Sequence, residues 1–461
     1  MAFCFNINLK LINSMPNTFV ANLNHKNKMT NFKSISLVAF LAILFSCSKE
    51  DPVVEYVTVT EKVTETETVE VDPYADSTLE GNITSDKTLD ASKIWLLKGR
   101  VSVESGAILT IPAGTIIKAA SGTGADASTL IIARGATIIA DGTADAPIIM
   151  TSVSDNIEVG GTYPSSGPAL NVDTRGLWGG ILILGNAPCS FSGDVTELQI
   201  EGIPTSDTNG LYGGSDAADN SGSVQYLSIR HGGAEIGEGN EINGLTLGGV
   251  GSGTKINHIE VVGNVDDGIE FFGGTVNASN LLVWGQGDDA IDIDQAYAGT
   301  IDGALVILTA ASDHGFEIDG PEGSASGRFT LKNATVIGAT DDCDAEGVDG
   351  EMADFRKGAT GDVLNILFRD FAGGKDVELD ASADAATYTA GTLTFVNIDI
   401  MHPVSDGAVC SNVETLDKIF DDKSNESTFE ADASSFAEIV TEQKDGNGVD
   451  TSIFSWTFYA R

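Results

Sequence analysis

The sequence predicts an all-β protein, a single right-handed parallel β-helix with a C-terminal cap. The first observation is a strand pattern that recurs three times, as "NVDDGIEFFGG", "GDDAIDIDQ" and "SDHGFEIDG". Its acidic centre falls on Glu270, Asp292 and Glu317, which are separated by 22 and 25 residues. The second observation is an apolar strand beside each of these. A sandwich would place strands roughly every 8–12 residues, so the longer period favours a solenoid.

The two strands of each repeat predict two columns of aligned residues. In the acidic column Thr246 precedes Glu270, while Asp349 (in "EGVDG") and Glu378 follow Glu317. The apolar column consists of Val261, Val283, Val306, Val336, Phe368 and Ile400. Because side chains alternate along a strand, the acids of the repeat point outward. Their apolar neighbours point into the coil: Ile269, Ile291 and Phe316 before the acid, and Phe271, Ile293 and Ile318 after it.

Residues 1–46 predict a targeting segment, with Met29 as the expected true start. A basic stretch precedes the apolar run "SISLVAFLAILF", which is too short to span a bilayer comfortably. The run ends in "LFSC", residues 44–47, which resembles a bacterial lipobox with Cys47 as the lipidated residue. A cleaved ordinary signal with an incidental cysteine is the alternative. The following "SKED" resembles the signal that sends lipoproteins of the Bacteroidota to the outer face of the outer membrane.

The rest of the chain divides into three parts. Residues 47–80 are rich in Val, Thr and Glu and predict a tether between lipid and domain. Residues 81–412 predict the β-helix, with glycines at its turns. Residues 413–461 predict a cap that hides the edge of the last coil, with "NVETLDKIF" and "SSFAEIVTEQ" helical and "SIFSWTFYAR" as a last strand.

The charge limits the classes of partner. With 67 acidic and 25 basic residues the formal net charge is −42, which excludes nucleic acid and attracts cations. A solvated acidic face that keeps the protein soluble is the simpler alternative. Of the cysteines after Cys47, at most one pair of Cys189, Cys343 and Cys410 can form a disulfide, and we expect buried small apolar residues instead.

Three long blocks resemble a known family. They are "RGLWGGILILGNAP", "IEGIPTSDTNGLYGGSDAADNSG" and "NEINGLTLGGVGSGT", beginning at Arg175, Ile200 and Asn240. They resemble β-helix outer-membrane lipoproteins of the Bacteroidota, over about residues 80–400. The resemblance implies a pectin-lyase-like fold and a TonB-dependent receptor as a partner. It implies little about chemistry, so function must be argued from the site.

The acidic column predicts a site, because like charges in register repel by a few kcal/mol at about 5 Å. Solvent exposure, a bound divalent cation or shared protons would each relieve the repulsion. The donors are all oxygen, which suits Ca²⁺. The predicted ligand or metal residues are Asp267, Glu270, Asp288, Asp289, Asp292, Asp294, Asp313, Glu317 and Asp319. The predicted function is that of a surface lipoprotein which binds an extracellular glycan or nutrient on a calcium-loaded face.

Protons shared between the carboxylates would instead indicate an enzyme. The sequence leaves open whether the chain is an enzyme. Polygalacturonases are similar in carrying Asn-x-Asp, Asp-Asp and Gly-His-Gly on successive coils. Here Asn264-Val-Asp266, Asp288-Asp289 and His314-Gly315 follow in that order, so Asp266, Asp288, Asp289 and His314 are the alternative catalytic residues. Asp313 replaces the first glycine, and the Arg-x-Lys of that family has no clear counterpart, since Arg328 and Lys332 are spaced differently. The alternative function is a glycoside hydrolase, or a polysaccharide lyase.

Overall fold

The structure, a computed structural model, describes residues 74–162, 170–236, 241–339, 350–371, 375–405, 408–410 and 413–460. The strands in these ranges are β1 (Thr78–Ile83), β2 (Lys87–Thr88), β3 (Ile94–Val103), β4 (Ile108–Thr110), β5 (Ile116–Ala119), β6 (Thr129–Ile132), β7 (Thr137–Asp141), β8 (Ile148–Ser152), β9 (Ile181–Leu184), β10 (Leu198–Gln199), β11 (Leu211–Tyr212), β12 (Gly222–Arg230), β13 (Leu245–Gly248), β14 (Lys255–Val262), β15 (Ile269–Phe272), β16 (Asn277–Trp284), β17 (Ile291–Asp294), β18 (Thr300–Ile307), β19 (His314–Asp319), β20 (Phe329–Ile337), β21 (Glu351–Arg356), β22 (Gly361–Arg369), β23 (Val377–Leu379), β24 (Leu393–Met401), β25 (Val404–Ser405), β26 (Ala408–Val409), β27 (Phe420–Asp422) and β28 (Ala437–Ile439). The α-helices are α1 (Ser382–Thr389), α2 (Leu416–Ile419) and α3 (Phe429–Phe436). No helix in these ranges is long and apolar enough to cross a membrane.

Parallel strands stack along the whole solenoid, as predicted for a right-handed parallel β-helix. One sheet, the short-strand sheet, runs from the end of β3 through β6, β9, β13, β15, β17, β19, β21 and β23 to β27. The long strands β12, β14, β16, β18, β20, β22, β24 and β28 stack beside it. Each long strand from β12 to β24 bends at one left-handed residue, so a coil has three faces.

The predicted inward columns form the core. Ile269, Ile291 and Phe316 are in register and at most 1% exposed. The same holds for the column of Phe271, Ile293 and Ile318. The predicted apolar column is also confirmed, since its members pair in succession from Val261 to Ile400. Burial of each such side chain contributes about 1.5–3 kcal/mol, so the columns stabilise every coil.

Asparagines at the bends form a hydrogen-bonded column, which we call the asparagine ladder. Asn397 donates its amide to Asn365 Oδ1 at 2.9 Å, and Asn365 donates to Asn333 Oδ1 at 3.0 Å. These residues have φ of 57–58°, a region that Asn tolerates better than other non-glycine residues. The column is interrupted at Gly303, so Asn333 donates to Asp302 Oδ1 at 2.6 Å instead.

Residues 186–221, which we call the roof segment, cover the outer face of the short-strand sheet near its start. An apolar cluster joins the two, with Phe191, Ile200, Ile203 and Tyr212 from the roof packed among Ile131, Leu182, Leu184 and Phe272. The outward positions under the roof segment are therefore apolar. Beyond it, the outward positions of the same sheet become acidic.

The C-terminal region adds one more coil and then turns back. β27 pairs with β23 and β28 pairs with β24, while α3 packs Phe429 and Phe436 against Phe395. The helix predicted for "SSFAEIVTEQ" is wrong for most of that segment, because α3 ends at Phe436 and Ala437–Ile439 form β28.

The last strand predicted for "SIFSWTFYAR" is wrong. Residues Thr451–Phe454 form a 3-10 turn, and the segment 440–460 runs back along the long strands. Its Phe454 packs on Leu282 and Leu305, which are outward apolar residues that water would otherwise contact.

Several expectations for the termini fall outside the described residues. They are the signal region 1–46, the lipobox at 44–47 with Cys47, and most of the tether. β1 begins at Thr78, just before the residue 81 at which we placed the start of the solenoid. Cys343 also lies outside the described residues, whereas Cys410 is disulfide-bonded, so the expectation of a free apolar cysteine there is wrong. Cys189 is a free thiol.

Candidate functional site

Carboxylates occupy the outward column of the short-strand sheet beyond the roof segment. We call this column the acidic ladder; its members pair in succession along Glu270, Asp292, Glu317, Asp354, Glu378 and Asp421. Strand stacking sets their backbones about 4.8 Å apart. Thr246 precedes Glu270, as predicted.

The assignment of Asp349 to this column is wrong. Asp354 pairs with Glu317 and Glu378, whereas Asp349 lies outside the described residues. "EGVDG" has the composition of the acidic turns, but β21 begins only at Glu351, so the alternating segment that continues the column comes later. The ladder is also less open than an outward column suggests, because Glu270 is only 6% exposed and Asp292 and Glu317 are half-buried.

A second polar column lies in the turns that lead into these strands. Asn243 Oδ1 accepts the backbone N–H of Asp267 at 3.2 Å, and Asp267 Oδ1 accepts that of Asp289 at 3.0 Å. Asp289 Oδ1 in turn accepts the backbone N–H of His314 at 2.8 Å. Asp267, Asp289 and His314 therefore stack on successive coils, and each carboxylate also ties one coil to the next. Sequence analysis missed Asn243, although it holds the same turn position one coil earlier.

The exposed edge of this face carries Asp266, Asp288 and Asp313. Asp288 and Asp313 are exposed, while Asp266 is half-buried. Asp313 N–H donates to the Asp288 carbonyl at 2.9 Å, which fixes the stacking of their turns. Two all-oxygen groups, Asp266–Asp267–Asp288 and Asp288–Asp289–Asp313, each have ligand atoms within 4.8 Å of one another.

The deepest all-oxygen group is Asp267, Glu270 and Asp292, which we call the inner trio. One oxygen from each lies within 4.8 Å of the others. Among the described residues, none of the three forms an ion pair with a lysine, arginine or histidine. Glu270 accepts a hydrogen bond from the Asn243 amide, while Asp292 Oδ1 is buried without a hydrogen-bond partner in the part of the chain described.

Burial and repulsion make the charged form of the inner trio costly. Burial is the largest cause that raises the pKa of Asp267, Glu270 and Asp292 well above the usual range, and neighbouring carboxylates raise it further. The same causes raise the pKa of Asp266 to about 7 and that of Asp288 to about 6. At neutral pH this face therefore holds either protons or a cation.

His314 lies among the carboxylates of this face, which raise its pKa. Burial lowers its pKa, but a 2.8 Å hydrogen bond from Nδ1 to Asp289 Oδ1 and the nearby carboxylates outweigh burial and raise the pKa to about 9. The imidazole is therefore protonated at neutral pH and has no free lone pair. Asp289, His314 and Glu317 also lie close enough together to form a mixed nitrogen–oxygen group.

Arg356 and Lys357 neutralise the middle of the face. Arg356 Nε lies 2.7 Å from Asp319 Oδ1, and its Nη2 contacts Glu317. Lys357 Nζ lies 2.5 Å from Asp319 Oδ2, and its charge also lowers the pKa of Asp294, which burial raises to about 6. Glu317 and Asp319, predicted as metal ligands, thus belong to an ion-paired cluster, whereas Asp294 lies near the charge of Lys357 without an ion pair to it.

Sequence analysis missed both bases. "MADFRKG" repeats the alternation of "GFEIDG", and that alignment would have placed Arg356 in register with Asp319.

Lys423 neutralises the far end of the acidic ladder. Its Nζ lies 2.6 Å from Glu378 Oε1, 2.6 Å from Asp421 Oδ2 and 3.1 Å from Asp376 Oδ2. Among the described residues, Glu270, Asp292 and Asp354 are then the ladder members without an ion pair, and Arg356 lowers the pKa of Asp354, whereas no base is near Glu270 and Asp292. Glu201 of the roof segment adds negative potential, because its charge raises the pKa of both Asp266 and Glu270.

Two cavities lie away from the acidic ladder. One of about 680 Å³ lies between the long strands and the C-terminal segment. The other, of about 500 Å³, is lined by Arg134, Asn186, Glu197 and Asp219.

Comparison with known proteins agrees with the fold. The family described as the pectate-lyase-like beta helix domain matches residues 81–459, which is most of the chain. No curated protein and no solved structure matches significantly. The pectin-lyase-like fold predicted from the sequence is thereby confirmed, and the chain belongs to the pectate-lyase-like β-helix family.

Proposed function

We propose that this chain is a surface-anchored outer-membrane lipoprotein that binds an extracellular glycan or nutrient on a calcium-loaded face of its β-helix. The observation that carries the proposal is the inner trio, with three close carboxylates and no basic partner among the described residues. A divalent cation would offset their repulsion, and it would satisfy the unpartnered Asp292 Oδ1.

The donor set favours Ca²⁺ among the common divalent cations. Carboxylate oxygens are hard ligands, and Ca²⁺ accepts about 6–8 of them in irregular geometry, whereas Mg²⁺ demands a near-ideal octahedron. The inner trio would hold the ion, and Asp266 and Asp288 lie next to it toward solvent. Ligand positions that the protein leaves open are available to hydroxyl or carboxylate oxygens of a glycan. Calcium and glycan binding would therefore be coupled.

The test of ligand binding is a glycan-array and polysaccharide-binding screen in excess EDTA and in millimolar Ca²⁺. We expect binding that requires Ca²⁺ in the wild type and is lost in Asp292→Asn, because that change removes a charged ligand of the inner trio. Asp362→Asn is the matched control, because Asp362 lies on a long strand and pairs with Arg328 there. Glycan binding that is unchanged in EDTA and in Asp292→Asn would contradict the proposal.

Anchoring rests on the "LFSC" and "SKED" motifs of the sequence. Cys47→Ala should abolish incorporation of labelled fatty acid, while Cys189→Ala should not. Replacement of Lys49, Glu50 and Asp51 by Ala should keep the lipid but hide the protein from protease added outside the cell. A wild-type protein that is released without Cys47 would refute the anchor.

Co-purification with a TonB-dependent receptor tests the proposed partner.

A glycoside hydrolase of polygalacturonase-like type is the second candidate. It is favoured by two solvent-side carboxylates, Asp266 and Asp288, whose pKa values of about 7 and 6 suit a general acid. They lie beside Asp289 and His314, the other residues of this alternative. A polysaccharide lyase would need a neutral base to remove a proton. Arg356 does not suit that role, because its hydrogen bond to Asp319 raises the pKa of Arg356 and keeps it protonated. Asp288→Asn should eliminate hydrolysis of polygalacturonate without preventing binding; absence of turnover by the wild type rejects the candidate.

A further inference from the structure

Arg175, which lies just before β9, is a half-buried arginine without a partner carboxylate among the described residues. The other arginines of the described ranges each form an ion pair. These pairs are Arg100 with Asp207, Arg134 with Glu197, Arg230 with Glu260, Arg328 with Asp362, Arg356 with Asp319 and Arg369 with Asp370. The exception stands out in a chain with 67 acidic and 25 basic residues.

The fold holds Arg175 in one position. The carbonyl of the preceding residue, Thr174, lies 2.8 Å from Nδ1 of the fully buried His231, which ties the backbone to the coil. The guanidinium is tied as well, because its Nη2 donates to Thr309 Oγ1 at 2.9 Å. Arg175 is therefore a positioned group and not a freely moving surface side chain.

The guanidinium of Arg175 has donors without acceptors. Its Nε is buried with no hydrogen-bond partner in the described structure, and its Nη1 donates to none of the described residues. Burial lowers the pKa of Arg175, whereas the charge of Asp173 raises it. Asp173 is exposed, so solvent screens its charge. Because an arginine stays protonated in proteins, a positive charge with free N–H groups remains here.

Arg175 lies against a turn that leads into the acidic ladder. A Cβ added at Gly287 would lie 3.3 Å from Arg175 Nη1, so glycine at this position lets the guanidinium approach the backbone. Gly287 immediately precedes Asp288, which is exposed and lies beside Asp267 of the inner trio. The unpaired positive charge therefore borders the face on which we place ligand binding.

An oxyanion is the ligand group that matches this guanidinium. The oxygens of a carboxylate or a sulfate ester accept charge-assisted hydrogen bonds, which are about twice as strong as neutral ones. A hydroxyl group or a water molecule accepts a hydrogen bond but leaves the charge uncompensated. An anionic group compensates the charge and accepts from the free N–H groups at the same time.

We propose that Arg175 is an anion subsite at the edge of the calcium-loaded face, and that it selects saccharides which carry a carboxylate or a sulfate ester. This assignment rests on the proposed function, because the saccharide is the ligand proposed there. Ca²⁺ at the inner trio and Arg175 at the neighbouring turn are then two positive points of attachment. Without Ca²⁺ the acidic face repels an anionic saccharide, so its binding depends on Ca²⁺ more steeply than that of a neutral one.

Calorimetric titration in millimolar CaCl₂, at an ionic strength matched with NaCl, tests this selectivity. The probes are sodium glucuronate for the carboxylate, sodium glucose 6-sulfate for the sulfate ester, and glucose as the neutral sugar. We expect one of the two anionic sugars to bind with a Kd of about 1 mM, and glucose to bind about tenfold more weakly or less. Arg175→Gln should weaken that anionic sugar about tenfold and leave glucose unchanged.

Arg328→Gln is the matched control, because Arg328 is already paired with Asp362. This variant should bind all three sugars as the wild type does. Arg175→Lys keeps the charge and should keep the preference for the anionic sugar. Thr309→Val leaves Arg175 in place but removes the acceptor that orients Nη2, so it should weaken the same sugar about threefold. Thermal unfolding should place Arg175→Gln within about 2 °C of the wild type.

The assignment of Arg175 is overturned if neither anionic sugar binds the wild type at up to about 20 mM, or if glucose binds as tightly as both. It is also overturned if Arg175→Gln and Arg328→Gln bind the anionic sugars equally. Failure of the proposed function gives a different result. Binding of an anionic sugar that is unchanged in EDTA and in Asp292→Asn, but lost in Arg175→Gln, would refute the role of Ca²⁺ and support the anion subsite.

Discussion

The two ends of the acidic ladder differ in how the repulsion between their stacked carboxylates is compensated. At the distal end, Lys423 contacts Glu378 and Asp421 at 2.6 Å each, so the stacked charges are neutralised by the chain itself. At the proximal end, the inner trio has no basic partner among the described residues and Asp292 Oδ1 is unpartnered. The backbone register is the same at both ends. The difference therefore lies in what neutralises the charge, not in how the strands stack.

This contrast indicates which part of the ladder is structural. Because Lys423 is part of the chain, it always compensates the charge of the distal carboxylates. The distal end therefore needs no external ion. The inner trio is more deeply buried than the distal acids, which makes its uncompensated charge more costly. A site that depends on an exchangeable cation responds to the concentration of that cation. We therefore place ligand binding at the proximal end.

The comparison depends on which side chains of the short-strand sheet point inward and which point outward. The variant with the largest expected effect on stability tests this assignment. Ile291 is fully buried next to the outward Asp292, so Ile291→Asp should lower the free energy of unfolding by about 4 kcal/mol or more, because the new charge has no partner. Val396→Asp is the control, since Val396 is 51% exposed on β24. Chemical denaturation measures both variants, and equal small losses would contradict the assignment.

Neutralising one carboxylate at each end should change stability in opposite directions. In EDTA, Asp292→Asn should raise the free energy of unfolding by about 1–2 kcal/mol, because it removes repulsion from a buried group. Asp421→Asn should lower it by about 0.5 kcal/mol, because it removes a contact of Lys423 that is partly exposed. Denaturant titrations of the two variants measure this difference. Stability changes of the same sign would show that the ends do not differ.

Removing the internal cation should make the distal end resemble the proximal one. Lys423→Met should cost about 1 kcal/mol in EDTA, a modest effect because the lysine side chain is 37% exposed. Added Ca²⁺ should then recover more stability in Lys423→Met than in the control Lys418→Met, since Lys418 forms no ion pair within the described structure. If Ca²⁺ recovers nothing, the distal acids are merely solvated.

The pH dependence of stability should be smaller and should depend on the cation. Burial raises the pKa of Asp266 to about 7 and that of Asp354 to about 7, both above the unfolded value. The folded state then binds more protons than the unfolded state between about pH 4 and 8, so stability falls as pH rises through this window. In EDTA we expect the melting temperature to fall by about 2 °C from pH 5 to 8. Saturating Ca²⁺ should flatten the curve, and a stability that rises with pH in EDTA would contradict the account.

The register of the solenoid could be predicted because the alternation of apolar and polar residues and the repeat length are visible in each short segment of the sequence. Glu270, Asp292 and Glu317 share nearly identical flanks, so their alignment needed no knowledge of the loops. Asp354 was missed because the loop before β21 is longer than those before β17 and β19, and composition alone pointed to Asp349.

The neutralising bases were harder to predict, because only the alignment of "MADFRKG" with "GFEIDG" brings Arg356 next to Asp319, and Lys423 follows β27 in the last coil. Arg356 reaches Asp319 from a residue 37 positions away, and Lys423 reaches Asp376 from 47 positions away. Such contacts depend on variable loops and on which coil lies next to which. The burial of Glu270 likewise depends on the roof segment, whose packing on the sheet leaves no periodic trace in the sequence.

The central claim is that the inner trio binds Ca²⁺, and thermal unfolding of the wild-type protein at pH 7.5 tests it most directly. The protein is melted in EDTA, in NaCl matched for ionic strength, and in millimolar CaCl₂. We expect a Ca²⁺-specific rise of about 5 °C that is largely lost in Asp292→Asn, because only a bound ion stabilises by mass action. If Ca²⁺ raises the melting temperature no more than NaCl at matched ionic strength, the carboxylates are merely screened and the calcium assignment is wrong.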